Sequence, residues 1–337
     1  MGVLRLLLAV VVVIYHAYPL WGYRIISGEL ALRSFFIISG FYMALILREK
    51  YPAGNYKLFI TNRFLRIYPL YWFVCIVTLG ASYFFITHFH YTFMRFLTDA
   101  TILLRTDYVT LNPNHYNPML VGPAWTLAVE LPFYLIAPFL VRRRWFVLAA
   151  TGILSLAIRY GVYHVEVVHG LQPTDRFFLS DLIFFVLGIF SYNMYAYKTR
   201  IGAKSGIGSY GVFIVMLAAI LGYMYIPDIS WRWLSGKEVI YYGLFTLSLP
   251  TIFRLFRHST IDRFIGELSY PVYIWHATVI LIASHIVSAA KLSGTFTILV
   301  LFCTIAVSWV SVRFVILPLD RFREKRVHSV RVVQSNR

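Results

Sequence analysis

The chain has 337 residues, of which 59% are hydrophobic and 13% charged, with a mean hydropathy of +0.70. A water-soluble domain carries roughly 25% charged residues, so the composition excludes a water-facing surface over most of the molecule and points to an integral membrane protein. The formal net charge of +17 fits membrane orientation and attraction to anionic lipid headgroups rather than nucleic-acid binding.

A transmembrane helix needs about 20 apolar residues. Runs of that kind occur at about 5–22, 31–47, 68–87, 124–141, 145–163, 177–195, 207–226, 238–254, 271–288 and 295–317. The expected fold class is therefore all-α integral membrane, with about ten transmembrane helices and both termini on one side. The basic residues choose that side. Arg5, Arg48, Lys50, Lys57, Arg63, Arg66, the run Arg142 to Arg144, and most of the remaining Lys and Arg fall at the terminal side, which predicts cytoplasmic termini in a bacterial inner membrane. The first run lacks a small-residue cleavage site and reads as a retained helix. Cys75 and Cys303 sit inside apolar runs and read as small buried residues, with no disulfide or metal role. The outer segment 88–122, rich in Tyr, Asn, Pro and His, is long for a connection and reads as a lid or an acceptor surface. One transmembrane domain is expected over 1–317, followed by a short basic cytoplasmic tail over 318–337.

Candidate chemistry appears in chain order. His16 is costly inside a membrane helix and suggests a functional group; a hydrogen bond to a neighbouring helix is the plainer reading. Arg5 lies eleven residues earlier, close to three turns, so the two share a face roughly 16 Å apart, a span that suits a long ligand with an anionic head and a reactive tail. Ser39-Gly40 permits close approach of another helix or of a ligand. Arg63 and Arg66, at i and i+3, project from one face of a short helix before Pro69 and suit forked bonding to phosphate; ordinary headgroup anchoring is the alternative. Glu130 is a carboxylate inside an apolar helix, placed to orient a catalytic His, bind a sugar hydroxyl or pair with an arginine such as Arg159. His276 is expected a turn or two inside the cytoplasmic end of the ninth span, with Tyr273 on nearly the same face, in a structural or a ligand-binding role. His88, His90 and His115 lack the carboxylates of a metal site.

Taken together, RLLLAVVVVIYH, FFIISGF, NRFLRIYPLYW, WTLAVELPFY and SYPVYIWH resemble, in order, the motifs of the acyltransferase-3 family of membrane-bound acyltransferases. The resemblance covers nearly the whole chain. It implies ten transmembrane helices and acetyl-CoA as the usual acyl donor; the residues themselves give no expectation of a metal. The implied acceptor is a bacterial surface polysaccharide or its lipid-linked precursor, that is, a carbohydrate or glycolipid. It also implies a catalytic role for His16 and functional roles for Arg5, Arg63 and Arg66, which the reading of the residues takes as the donor-binding set. Glu130 is carried as a second catalytic candidate; Ser39, Gly40, Trp125, Tyr134, Tyr273 and His276 are carried as supporting or substrate-contacting residues. Expected partners are membrane lipids and the glycan acceptor; nucleic acid is not expected, and self-association stays open. Direct attack by an acceptor hydroxyl with His16 as general base and an acetyl-histidine intermediate are both compatible with the residues. So is a different class, a secondary transporter of an anionic solute, which also places His, Glu and Arg at mid-membrane.

Overall fold

A computed structural model describes residues 1–20, 25–51, 54–102, 119–168, 177–202, 206–227, 230–231, 234–287 and 293–335. The middle of the outer segment (103–118, including His115) and the chain end at Arg337 lie outside the described residues. The helices are α1 (Gly2–His16), α2 (Gly28–Glu49), α3 (Tyr56–Phe85), α4 (Phe93–Thr101), α5 (Trp125–Leu140) and α6 (Trp145–Val168). They continue with α7 (Phe178–Arg200), α8 (Ile207–Gly222), α9 (Gly236–Phe256), α10 (Thr260–Ile286) and α11 (Gly294–Ser311), which passes through a π-helical turn at Val312–Ile316 into α12 (Leu317–Ser335). A two-residue antiparallel hairpin pairs Ser230 with Ser235 and Trp231 with Leu234.

Among the described residues, nine helical segments are long and apolar enough to cross a membrane, and α1 is a shorter apolar helix of 15 residues. The chain is an all-α, multi-pass membrane protein. Its packing is graded. The most apolar stretch of α2 is 78% buried within the protein and that of α8 only 17%, so α2 is a core helix and α8 a peripheral one with its apolar side toward lipid. Cys75 is half-buried, whereas Cys303 is exposed rather than buried as expected, because α11 turns much of its surface outward.

Small residues set the closest helix contacts, as expected where apolar side chains gain little by leaving lipid. A Cβ on Gly40 would lie 2.1 Å from the Phe185 carbonyl oxygen, and one on Gly188 would lie 2.0 Å from that of Ile37. The α2–α7 contact therefore rests on two facing glycines. The α1–α10 contact is equally tight: a Cβ on Gly2 would reach 1.6 Å from the Asp262 carbonyl oxygen. The Asp262 carboxylate also caps α1, accepting from the Met1 ammonium (2.6 Å), Gly2 N (2.8 Å) and Val3 N (3.0 Å). These are the otherwise unpaired donors of a helix start. In α9, Pro250 frees the Thr246 carbonyl from the helical ladder, and Ser191 of α7 donates to it at 2.8 Å.

A buried ionic cluster ties α2, α6, α7 and α9 together at the opposite end from Met1. Arg159 donates to Asp181 at 3.1 Å, and Arg33 lies 4.0 Å from Asp181, 3.5 Å from Glu238 and 3.9 Å from Glu29. Both guanidinium groups stand over the Phe184 ring, at 5.6 and 5.7 Å from its centre.

Two spans begin earlier than the hydropathy pattern predicts. α3 starts at Tyr56 instead of 68 and runs through Pro69; α10 starts at Thr260 instead of 271. These early segments carry polar residues that face an internal chamber: Arg63 and Arg66 in α3, and Thr260, Asp262 and Glu267 in α10. Likewise, the expected 318–337 tail is helical to Ser335 and packs on α3. Asn62 accepts from Arg326 on its side-chain oxygen (3.2 Å) and from Arg323 on its carbonyl (3.4 Å), while its amide donates to the Tyr51 hydroxyl (2.9 Å). Asp320 and Arg323 form an ion pair.

Candidate active site

A chamber of about 710 Å³ opens between α1, α2, α3, α5, α10 and α12, at the end of the bundle where Met1 and α12 meet. Each sequence motif contributes to it through a different helix, so residues far apart in the chain converge on one space. Arg5 of α1, Ser39 of α2, Arg63 and Arg66 of α3, Glu130 and Tyr134 of α5 and Tyr273 of α10 all line it.

The three arginines differ in how they are compensated. Arg66 pairs with Glu267 at 3.5 Å. Arg5 and Arg63 have no carboxylate partner among the described residues; they stand over the rings of Tyr42 (5.7 Å) and Phe59 (5.8 Å). Arg63 Nε is buried without an acceptor. Half-buried guanidinium groups with free donors, facing a chamber, provide a site for an anion. Met1 also lines this mouth, and burial lowers its ammonium pKa, an effect the Asp262 carboxylate opposes.

Farther in, Glu130 Oε1 accepts from Ser39 Oγ at 2.5 Å and also from the Tyr134 hydroxyl. Glu130 bonds neither histidine, and Arg159 is taken by Asp181. The carboxylate is held by hydroxyl donors with its other oxygen unengaged by these bonds. Phe35, Thr126 and Tyr273 line the chamber and form a partition between it and His276, whose ring neighbours that of Tyr273. The Tyr273 hydroxyl donates to the Pro123 carbonyl (2.9 Å) and lies 2.8 Å from Thr126 Oγ1, and its ring is 6.1 Å from that of Phe35.

Beyond this partition sit the two histidines, neither of which lines the chamber itself. The Tyr273 and His276 ring centres are 5.8 Å apart, and those of His276 and His16 are 5.1 Å apart. His276 is fully buried and His16 is exposed. The expectation that His276 lies near the cytoplasmic end is therefore wrong. It falls sixteen residues into α10, about 24 Å along the axis, because α10 begins at Thr260. Each imidazole Nδ1 faces a carbonyl of its own helix: Val12 O at 2.9 Å for His16 and Tyr273 O at 2.6 Å for His276. A carbonyl can only accept, so Nδ1 carries the proton in both rings and each Nε2 presents a lone pair.

Gly40 and Trp125 are not brought into the chamber. Gly40 is committed to the backbone of α7, and Trp125 packs half-buried against the apolar core. Sequence reasoning missed Glu267, Asp262, Tyr42 and the α12 residues Asp320 and Arg323. Glu267 carried a legible signal, a carboxylate four residues ahead of Pro271, but it falls outside the span that hydropathy marks.

The family profile described as an acyltransferase domain matches residues 1–313. ORF330 of Acidianus two-tailed virus, provisionally named an acetyltransferase, is 27% identical over 77% of this chain and 77% of its own length. O-acetyltransferase OatA of Staphylococcus aureus (strain NCTC 8325 / PS 47) is 23% identical, covering 94% of this chain and 56% of OatA. A second S. aureus protein, provisionally named an O-acetyltransferase, is 24% identical over 82% of this chain and 50% of its own length. The chain thus spans about half the length of these staphylococcal relatives. No solved structure matches it significantly. With the profile spanning all but the last stretch of the sequence and the five motifs converging on one chamber and its histidines, the chain belongs to the acyltransferase-3 family of membrane-bound acyltransferases.

Proposed function

We propose that the protein is an inner-membrane O-acetyltransferase that moves an acetyl group from cytoplasmic acetyl-CoA to a hydroxyl of a carbohydrate, either a surface polysaccharide or its lipid-linked precursor. The observation that carries this reading is the pair of guanidinium groups, Arg5 and Arg63, with no carboxylate in ion-pair reach among the described residues, lining a chamber whose far end adjoins a histidine pair. Phosphates of the donor bind Arg5, Arg63 and Arg66, and the pantetheine arm follows the chamber toward Tyr273. His16, with Nε2 as its free lone pair, takes the proton of an acceptor hydroxyl arriving from the opposite side. Attack on the thioester carbonyl then forms the ester and releases the thiol. The Glu130–Ser39–Tyr134 group borders the path of the arm and fixes local polarity; it does not touch His16.

Purified protein incubated with acetyl-labelled CoA, followed by mass spectrometry of cell-envelope glycans, tests the reading. Wild-type protein should yield an acetyl ester on glycan, and His16→Ala should lower transfer by about 100-fold or more with unchanged donor binding. Wild-type transfer by His16→Ala would remove His16 from the chemistry. Uptake of an anion into proteoliposomes without any acyl turnover would instead establish the transporter.

A further inference from the structure

Acetyl transfer as proposed uses one histidine, yet the structure buries a second beside it. His276 has no exposed surface, and its Nε2 is a buried nitrogen with no hydrogen-bond partner among the described residues. Buried polar atoms are nearly always satisfied, so an orphaned acceptor on a fully enclosed imidazole marks a place where a donor belongs during function. A purely structural role is already fulfilled at the other nitrogen, where Nδ1–H bonds to the Tyr273 carbonyl at 2.6 Å. His16 cannot satisfy Nε2 while neutral, because its own Nδ1–H is committed to Val12 O. Two rings with centres 5.1 Å apart thus carry two lone pairs and no proton between them. A proton delivered to one ring has the neighbouring imidazole as its next acceptor.

The order of the rings gives each a side. From the chamber outward run Phe35, Tyr273, His276 and His16, at successive ring-centre separations of 6.1, 5.8 and 5.1 Å. His276 lies toward the donor, and His16, the exposed ring, lies toward the acceptor. We propose that His276 is the donor-side half of a two-histidine proton relay. This rests on the acetyltransferase reading and extends it to the leaving group. The acceptor O–H bond breaks and its proton goes to His16 Nε2. The alkoxide oxygen bonds the acetyl carbon as the carbon–sulfur bond breaks. The proton passes from His16 Nε2 to His276 Nε2 and then to the departing sulfur, which leaves as the CoA thiol. No net proton is gained or lost, and both Nδ1–H bonds persist throughout.

The test compares two variants with two donors. Asn at this position keeps a donor near the site of Nδ1 and removes Nε2, while Gln keeps an acceptor near the site of Nε2 that cannot exchange a proton. With acetyl-CoA, His276→Asn and His276→Gln should each lose about 100-fold in kcat with acetyl-CoA binding unchanged. With 4-nitrothiophenyl acetate, whose thiolate leaves without protonation, both should fall within about threefold of wild type in nitrothiophenolate release. His16→Ala should be impaired with both donors. Wild-type kcat of His276→Asn with acetyl-CoA would reduce His276 to its bond with Tyr273 and overturn the relay, while a dead His16→Ala would leave the acetyltransferase reading standing. Equal loss with both donors in folded protein would also overturn it. Should one variant fail to give a wild-type melting profile in detergent, the other carries the comparison; full activity of His16→Ala would instead strike at the underlying reading.

Discussion

Two clusters of arginine, one buried and one half-buried, occupy opposite ends of this bundle, and they are built on different principles. At the end away from Met1, the buried Arg33 and Arg159 are paired with Asp181 and Glu238, and Arg33 also with the exposed Glu29. The positive charge is matched within the cluster, and the four helices it joins are held by it. At the chamber, Arg66 has Glu267, whereas Arg5 and Arg63 lean on aromatic rings with no carboxylate of their own among the described residues. Removing guanidinium groups from water is costly unless they are paired. A cluster that pairs them internally holds helices together; one that leaves them uncompensated awaits an anion from outside. Burial differs between the two, with Arg33 and Arg159 buried and the chamber arginines half-buried, and so does the supply of carboxylates within ion-pair reach among the described residues.

The comparison can be broken at either end. The largest expected effect is Arg159→Ala, which leaves Asp181 buried with only the more distant Arg33. Stability should drop by about 3–5 kcal/mol, read as a fall in melting temperature in detergent, while acetyl-CoA affinity of the folded fraction stays at the wild-type value. A loss of affinity without a loss of stability would reverse the roles assigned to the two ends. Next comes Arg66→Lys, which keeps the charge and loses the fork. Acetyl-CoA affinity should weaken about tenfold with kcat at saturation retained; a collapse of kcat at constant affinity would contradict a donor-binding role. The smallest effect is expected from Glu267→Gln. It releases Arg66 from its competing carboxylate, so affinity should tighten by about threefold in equilibrium binding, and weaker binding would mean that Glu267 positions Arg66 rather than competing for it.

The fold class is legible in the sequence because apolar runs of bilayer length, with so few charges between them, leave too little polar surface to face water. The sequence also marks Arg5, Arg63, Arg66, Ser39 and Glu130, five residues that meet in the chamber. What it obscures follows from one physical cause. Helix segments that line a polar chamber do not look apolar, so hydropathy starts α3 and α10 twelve and eleven residues late relative to Tyr56 and Thr260. That shift puts His276 near the surface, leaves Glu267 outside a span and reduces α12 to a tail. Gly40 illustrates the converse. A glycine beside a functional serine reads equally as ligand approach or helix contact, and only the backbone of Phe185 at 2.1 Å from its Cβ position decides for the contact.

The central claim is that the uncompensated guanidinium groups form the donor site. Equilibrium binding of labelled acetyl-CoA to purified wild-type protein, Arg5→Gln and Arg63→Gln, with melting curves recorded in parallel, tests it most directly. Each substitution should weaken binding by about 10- to 100-fold, the worth of a charge-assisted bond to phosphate, with melting temperature unchanged or raised because a half-buried charge without an ion-pair partner has been removed. Wild-type affinity in both variants, or destabilisation comparable to that of Arg159→Ala, would show that Arg5 and Arg63 are structural after all.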